Sequence, residues 1–302
     1  MRSAPAVGAC EGRAGRGAQE RLKIPGIIGR GTYLLLTVVT MPDITLTTLV
    51  VLCLAAAAAG WIDAVVGGGG LLLLPALLLG LPHVPAAQIL GTNKAVAIVG
   101  TSGAAVTYAR KAPVNVGTAV RIGLAALAGS MGGAFFAAGI SSEVLRPVIM
   151  VVLLAVAAFV MLRPQFGRAA GDGTAPRVTR ARTVTAIVLV GGGIGLYDGL
   201  FGPGTGTFLV LALTAVLHLD LVTASATAKI VNVCTNGGAL AMFAYQGNVM
   251  WQLAALMAVF NLAGGLFGAR MALRRGSEFV RGVLLVVVFS LVAKLAFDQW
   301  QS

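Results

Sequence analysis

Charge is what this chain of 302 residues has least of. Asp, Glu, Lys and Arg together make up 11%, where soluble domains carry about 25%. With 58% hydrophobic residues and a mean hydropathy of +0.92, the composition excludes an ordinary water-soluble globule. Runs such as 44–62, 147–162, 183–197 and 282–293 approach or reach the length needed to cross about 30 Å of hydrocarbon. Alternation of apolar and polar residues is missing as well. Blocks such as VLCLAAAAAG and GVLLVVVFSLVA do not suit a membrane β-barrel. The three cysteines, Cys10, Cys53 and Cys234, are too few and too scattered for a disulfide framework or a zinc site. Cys53 and Cys234 lie in apolar segments and read as small hydrophobes. No metal, no cofactor and no enzymatic nucleophile is expected.

What charge there is gathers at the ends of the apolar runs. The net charge of +12 comes largely from Arg110 with Lys111, then Arg163, Arg168, Arg177, Arg180 and Arg182, then Arg270, Arg274, Arg275 and Arg281. Basic flanks of apolar spans are orientation signals, because positive loops stay in the cytoplasm. No basic stripe is interleaved with aromatics, which excludes a nucleic-acid partner. Residues 1–43 form a Gly/Ala/Arg-rich tail with no helical pattern before residue 32. The tail is expected to be disordered, or an artefact of where translation is taken to begin, with Met41 opening the first span. It lacks the cleavage site of a secretory signal.

The chain overlays itself at a constant offset, and 60–134 align with 195–269 without a gap. Asp63 falls on Asp198, Gly67 on Gly202, Gly69 on Gly204, Thr92 on Thr227 and Lys94 on Lys229. The aspartate and the lysine thus keep the same spacing in both copies, in a chain that has only five lysines. Each half reads as a helix ending at the aspartate, a glycine-rich break, a short apolar piece, a polar turn and a longer helix carrying the lysine. The short pieces, 71–81 and 206–217, would span about 17 Å, too little to cross. They read as re-entrant or half-helices. Two more helices follow in each half, at 116–139 and 144–162, then at 249–269 and 279–297. The fold class is therefore all-α: a polytopic helical membrane protein of two homologous repeats, with about eight transmembrane helices plus two short broken or re-entrant ones. Residues 44–162 are the first membrane repeat, 163–182 an Arg-rich cytoplasmic linker, and 183–302 the second repeat.

Orientation stays open at this level. With the N-terminus inside and the short pieces not crossing, Arg110, Lys111 and the linker fall inside, but 270–281 falls outside. Counting the short pieces as spans inverts the two halves and moves the linker outside instead.

Asp63, Lys94, Asp198 and Lys229 would each cost about 2.5–3.5 kcal/mol facing lipid, so they are expected to face a cavity or one another. An Asp–Lys pair inside each half would pin the broken helix to the next. Alternatively, the lysines attract an anion near mid-membrane and the aspartates carry protons or act as counter-ions. The glycines at "VVGGGGLL" and "FGPGTGTF" favour the second reading. They stand where a new helix opens, and the unpaired N–H groups of a helix start bind anions. Read as a phosphate loop, GGGG lacks the lysine-serine that a nucleotide site requires. The substrate-binding set is Lys94, Lys229, Asn93, Thr92, Gly67, Gly68, Gly69, Gly70, Gly202, Gly204, Thr205, Asn232 and Asn236. Asn232 and Asn236 follow Lys229 at helical spacing and lie on its face of the helix. His83 and His218 precede polar turns and read as interfacial caps. Gly129/Gly133 and Gly264/Gly268 read as close helix-packing pairs.

The stretches "GWIDAVVGGGGLLLLPALL", "GTNKAVAIVG", "GLYDGLFGPGTGTFL" and "TASATAKIVNVCTNGGAL" resemble the signatures of the TauE/SafE sulfite exporter family, from about residue 44 onward. The motif-like positions are Asp63, Gly67 to Gly70, Thr92, Asn93 and Lys94, then Asp198, Gly202, Pro203, Gly204, Thr205, Lys229 and Asn232. The resemblance implies a secondary transporter in the cell inner membrane that exports a small sulfur-containing anion, sulfite or an organosulfonate, coupled to a proton gradient. An anion channel, or a transporter of another small anion such as a carboxylate, is the alternative. The expected partners are the anionic substrate, the lipid bilayer and a second copy in a homodimer.

Overall fold

The computed structural model describes residues 44–162 and 179–301. The tail expected at 1–43 and most of the linker expected at 163–182 therefore lie outside the described residues. The order of elements is α1 (Leu46–Val66), α2 (Gly69–Gly80), α3 (Ala86–Ala109), α4 (Val116–Ala138) and α5 (Ser142–Leu162). Then come α6 (Arg180–Leu200), α7 (Thr205–Leu217), α8 (Leu221–Tyr245) and α9 (Trp251–Gln301). There is no strand among the described residues. Within α6, the stretch Ala186–Gly193 widens into a π-helix. Five of these helices are long and apolar enough to cross a membrane: α1, α3, α4, α6 and the Trp251–Arg275 part of α9. The chain is a multi-pass helical membrane protein.

Local sequence sets the helix ends. Thr45 Oγ1 accepts from the Thr48 N–H, Asn115 Oδ1 from Thr118, and Asp220 Oδ1 from both Val222 and Thr223, so each satisfies donors that the first turn leaves unpaired. One helix differs from expectation. Two separate helices, 249–269 and 279–297, are expected where α9 runs unbroken through Gln301. The stretch 270–281 between them contains no proline, so its arginines continue the helix instead of ending it.

Glycine contacts fix the directions of the helices. Positions 191, 195 and 199 of α6 lie against 122, 126 and 130 of α4, so the two run parallel. In the same way 264 and 268 of α9 lie against 57 and 61 of α1, and 91 and 100 of α3 lie against 248 and 261. On α8, Cys234 and Gly238 lie against 123 and 127 of α4. Helices α1, α3 and α9 therefore point one way, and α4, α6 and α8 the other. Helix α2 folds back along α1, with Gly69 against Asp63 and Gly80 against Leu52 and Thr48. The outcome is that of counting the short pieces as spans: α3 runs parallel to α1, where the non-crossing count would set it antiparallel, because α2 returns to the face where α1 began. There Arg146, at the start of α5, donates to the carbonyls of Leu78, Leu81 and Val84 and holds the α2 exit in place.

Helices α1 and α6 thus run in opposite directions, as do α3 and α8, and α4 and α9. This resolves the orientation conflict. Arg110 and Lys111 at the end of α3, Arg180 and Arg182 at the start of α6, and Arg270, Arg274 and Arg275 on α9 all lie on one face. The described chain begins at the opposite face. The glycine pairs do what their spacing implies. A methyl group on Gly129 would lie 2.6 Å from the Gly192 carbonyl oxygen, and one on Gly264 would lie 2.0 Å from that of Ala57. Only glycine lets these helix backbones meet.

Candidate functional site

The two helix breaks meet. Gly67 closes α1 with a left-handed φ of 78°, and its backbone touches Gly206 in the first turn of α7. A Cβ on Gly67 would lie 2.3 Å from the Gly206 carbonyl carbon. The Thr207 hydroxyl, one residue on, donates to the Val66 carbonyl at 2.9 Å and closes the last turn of α1. Gly202, at φ 85°, ends the α6 segment, and the Thr205 hydroxyl donates to its carbonyl at 2.9 Å. The starts of α2 and α7, each a helix end rich in unpaired N–H groups, converge on one point.

Four ionisable side chains surround that point, and they pair across the halves. Lys94 Nζ lies 2.7 Å from Asp198 Oδ1, and Lys229 Nζ lies 3.0 Å from Asp63 Oδ2. Lys229 also donates to the Asp63 backbone carbonyl. Pairing within each half, the structural alternative read from the sequence, is not what forms. The reason is topological. The returning α2 fills the space beside its own α1, while the end of α6 reaches the Lys94 level of α3 and the end of α1 reaches the Lys229 level of α8.

Each lysine is the ninth residue of its helix, about 12 Å along the axis from the helix start. Because α3 and α8 start at opposite faces, the Lys94–Asp198 pair lies toward the face with few charges. The Lys229–Asp63 pair lies toward the arginine-rich face.

Between them is a cavity of about 20 Å³, lined by Asp63, Gly67, Gly70, Asn93, Lys94, Ala97, Asp198, Gly202, Thr205, Gly206, Asn232 and Asn236. That is room for one water molecule. All of these except Ala97 and Gly206 were expected from the sequence. Lys229 holds Asp63 at the edge of the cavity. Thr92, Gly68, Gly69 and Gly204 are not brought to it. Thr92 Oγ1 instead accepts from the Met250 N–H and ties α3 to the start of α9. Gly69 packs on the Asp63 side chain, and Gly204 faces Val156 of α5. His83 is exposed in the turn between α2 and α3 and caps neither helix, whereas His218, also exposed, takes the C-cap of α7.

The two ion pairs are not equivalent. Asp63 is 16% exposed, and its Oδ2 accepts from the Thr101 hydroxyl at 3.1 Å as well as from Lys229. Asp198 is 2% exposed, and its Oδ2 has no partner among the described residues. Asn93 Oδ1, on the same cavity, has none either. Two buried acceptors without donors cost free energy until something enters to donate to them. Sequence reasoning missed Thr101, yet Thr101 is the first-half counterpart of Asn236, so the repeat alignment points to it. It also missed Thr207 and Asn261, whose amide donates to the Ala56 carbonyl at 2.9 Å inside the α1–α9 contact.

Residues 52–295 match the family model described as sulfite exporter TauE/SafE. Among similar curated proteins is a "Probable membrane transporter protein ORF9" of Sinorhizobium sp. It is 34% identical over 226 residues, covering 74% of this chain and 83% of that protein. A "Probable membrane transporter protein" of Haemophilus influenzae is 31% identical, covering 75% of this chain and 86% of its own. "Probable membrane transporter protein YfcA" of Escherichia coli strain K12 is 32% identical, covering 74% and 81%. No solved structure matches the chain. The chain belongs to the sulfite exporter TauE/SafE family.

Proposed function

We propose that this TauE/SafE family member is a secondary transporter that exports a small sulfur-containing anion, sulfite or an organosulfonate, across the cytoplasmic membrane, coupled to a proton gradient. One observation carries the reading: two helix breaks converge on a single cavity lined by Lys94, Asp198 and Asp63, and Lys229 pairs with that Asp63. Broken helices meeting between inverted repeats are how many secondary transporters build their sites. Helix bounds that recur at the offset of the sequence repeat, in helices that run in opposite directions, support the two-repeat architecture. The arginine-rich face is then cytoplasmic.

In this reading the two ion pairs are gates. Lys229–Asp63 closes the cavity toward the cytoplasm and Lys94–Asp198 closes it toward the outside. An anion entering from the cytoplasm competes with Asp63 for Lys229, and the positive ends of α2 and α7 receive its charge. Asp198, freed when the anion takes Lys94, is the proton-accepting group of this reading, with its Oδ2 unpartnered beside the cavity. The cavity has room for one water, too little for an anion, so the anion passes only with a conformational step.

Uptake of radiolabelled sulfite into proteoliposomes with an imposed proton gradient tests this, with sulfate, thiosulfate, taurine and sulfoacetate as competitors. Saturable, gradient-driven flux that Lys94→Ala and Lys229→Ala both abolish, in protein that still folds, is the expected result. Flux that survives both substitutions would make the lysines structural and sink the anion site. Flux that never saturates would make the protein a channel.

A further inference from the structure

A second cationic site lies away from the cavity. Where α3 ends and α9 passes it, Arg110, Lys111, Arg270 and Arg274 line a pocket of about 420 Å³ with Thr107. All four cations are exposed, and none has a carboxylate partner among the described residues. Four like charges drawn together without counter-ions repel one another. Solvent screens part of that repulsion at an exposed site, and an anion seated among them would relieve the rest.

The neighbouring surface says which anion. Val106 lies one helical turn before Arg110 and Phe267 one turn before Arg270, so each apolar side chain is on the helix face of its arginine, one turn deeper. Val106 is 52% exposed and Phe267 63% exposed, both on helices long and apolar enough to span the bilayer. Positive charge at the membrane surface, continuous with exposed apolar side chains below it, has the polarity of a phospholipid: phosphate above, acyl chain beneath. Thr107 cannot help directly, because its hydroxyl is spent on the Gly103 carbonyl at 2.8 Å. Recognition is therefore by charge. We infer that this pocket binds the phosphate of an anionic phospholipid from the leaflet on the arginine-rich face, as a site distinct from the transport cavity. A bound lipid there would join α3, which carries Lys94, to α9, which packs along α1. This inference does not depend on what the protein transports.

Thermal unfolding of the full-length protein in mixed micelles tests it. Phosphatidylglycerol is added against phosphatidylcholine, with inorganic phosphate at equal concentration as the third arm. Phosphatidylglycerol is expected to raise the Tm of the parent by several degrees, phosphatidylcholine and phosphate to leave it unchanged. The variant Arg110→Gln/Lys111→Gln/Arg270→Gln/Arg274→Gln is expected to lose most of that rise. An equal rise in the variant, or an equal rise with inorganic phosphate in the parent, overturns the proposal; the latter makes the pocket a free-anion vestibule. If the variant does not fold, a photoactivatable phosphatidylglycerol crosslinked to the parent decides. Labelled peptides from residues 106–111 or 267–275 support the site, and labelling confined to other helices removes it.

Discussion

Breaking one cross-half ion pair from one side should cost far more than removing it whole. Lys94 and Asp198 are each 2% exposed and lie 2.7 Å apart. Lys94→Met leaves the Asp198 carboxylate buried without its counter-ion, and Asp198→Leu does the same to the ammonium. Each single change is expected to cost about 3–5 kcal/mol. The double variant buries neither charge and replaces the pair by apolar groups of similar volume, so it should recover most of that loss. The coupling is thus at least about 3 kcal/mol, well beyond the near-additivity of residues that do not touch. Reversible unfolding in detergent micelles, followed by tryptophan fluorescence, measures all four species of the cycle. A second cycle joining Lys94→Met to Asp63→Leu is the control. Those residues pair in the within-half arrangement and not in the crossed one, and their coupling, though they share the cavity, should be clearly smaller than that of Lys94 and Asp198. If the Lys94–Asp63 cycle shows the larger coupling, the crossed pairing is wrong and the gate assignment falls with it. All the variants lose transport in either case, so stability is the readout that discriminates.

Two further outcomes follow from local geometry. Gly67→Ala combines a left-handed φ of 78° with a Cβ 2.3 Å from the Gly206 backbone, and should cost more than about 2 kcal/mol and prevent the breaks from meeting. Gly193→Ala, with nothing within 4 Å, is the matched control and should be neutral in the same unfolding assay. Asp220, at the exposed start of α8, feels burial pushing its pKa up, but hydrogen bonds from Thr223 and Val222 outweigh this and hold the carboxyl below the ordinary carboxylate range. A lowered folded-state pKa gives stability that is present above the unfolded value and is lost as pH falls through the folded one. Asp220→Ala should therefore cost about 1 kcal/mol at neutral pH. The gap should narrow in acid below about pH 4, where Asp220→Asn, an uncharged cap, shows no such pH dependence. A gap that is constant from neutral to strongly acid pH would refute the carboxylate cap.

The sequence made the chemistry legible and left the geometry ambiguous, for a physical reason. Asp63, Lys94, Asp198 and Lys229 stand out because charge inside an apolar span is costly, and the glycines stand out because they interrupt helices where hydrocarbon favours continuity. Both signals are local, and both led to residues that line the cavity. Which lysine meets which aspartate is not local. It depends on the direction of each helix, and periodicity carries no direction. The arginines did encode direction, but only once α2 is known to fold back along α1. The contacts of Gly69 and Gly80 establish that, and no pattern of leucines could. Given the return of α2, all the basic ends fall on one face, and α1, α3 and α4 run opposite to α6, α8 and α9 respectively. Those directions bring the end of each broken helix to the lysine of the other half. The crossed pairs are thus a consequence of the fold-back, and a helix turn that glycine alone permits decides where four charges meet.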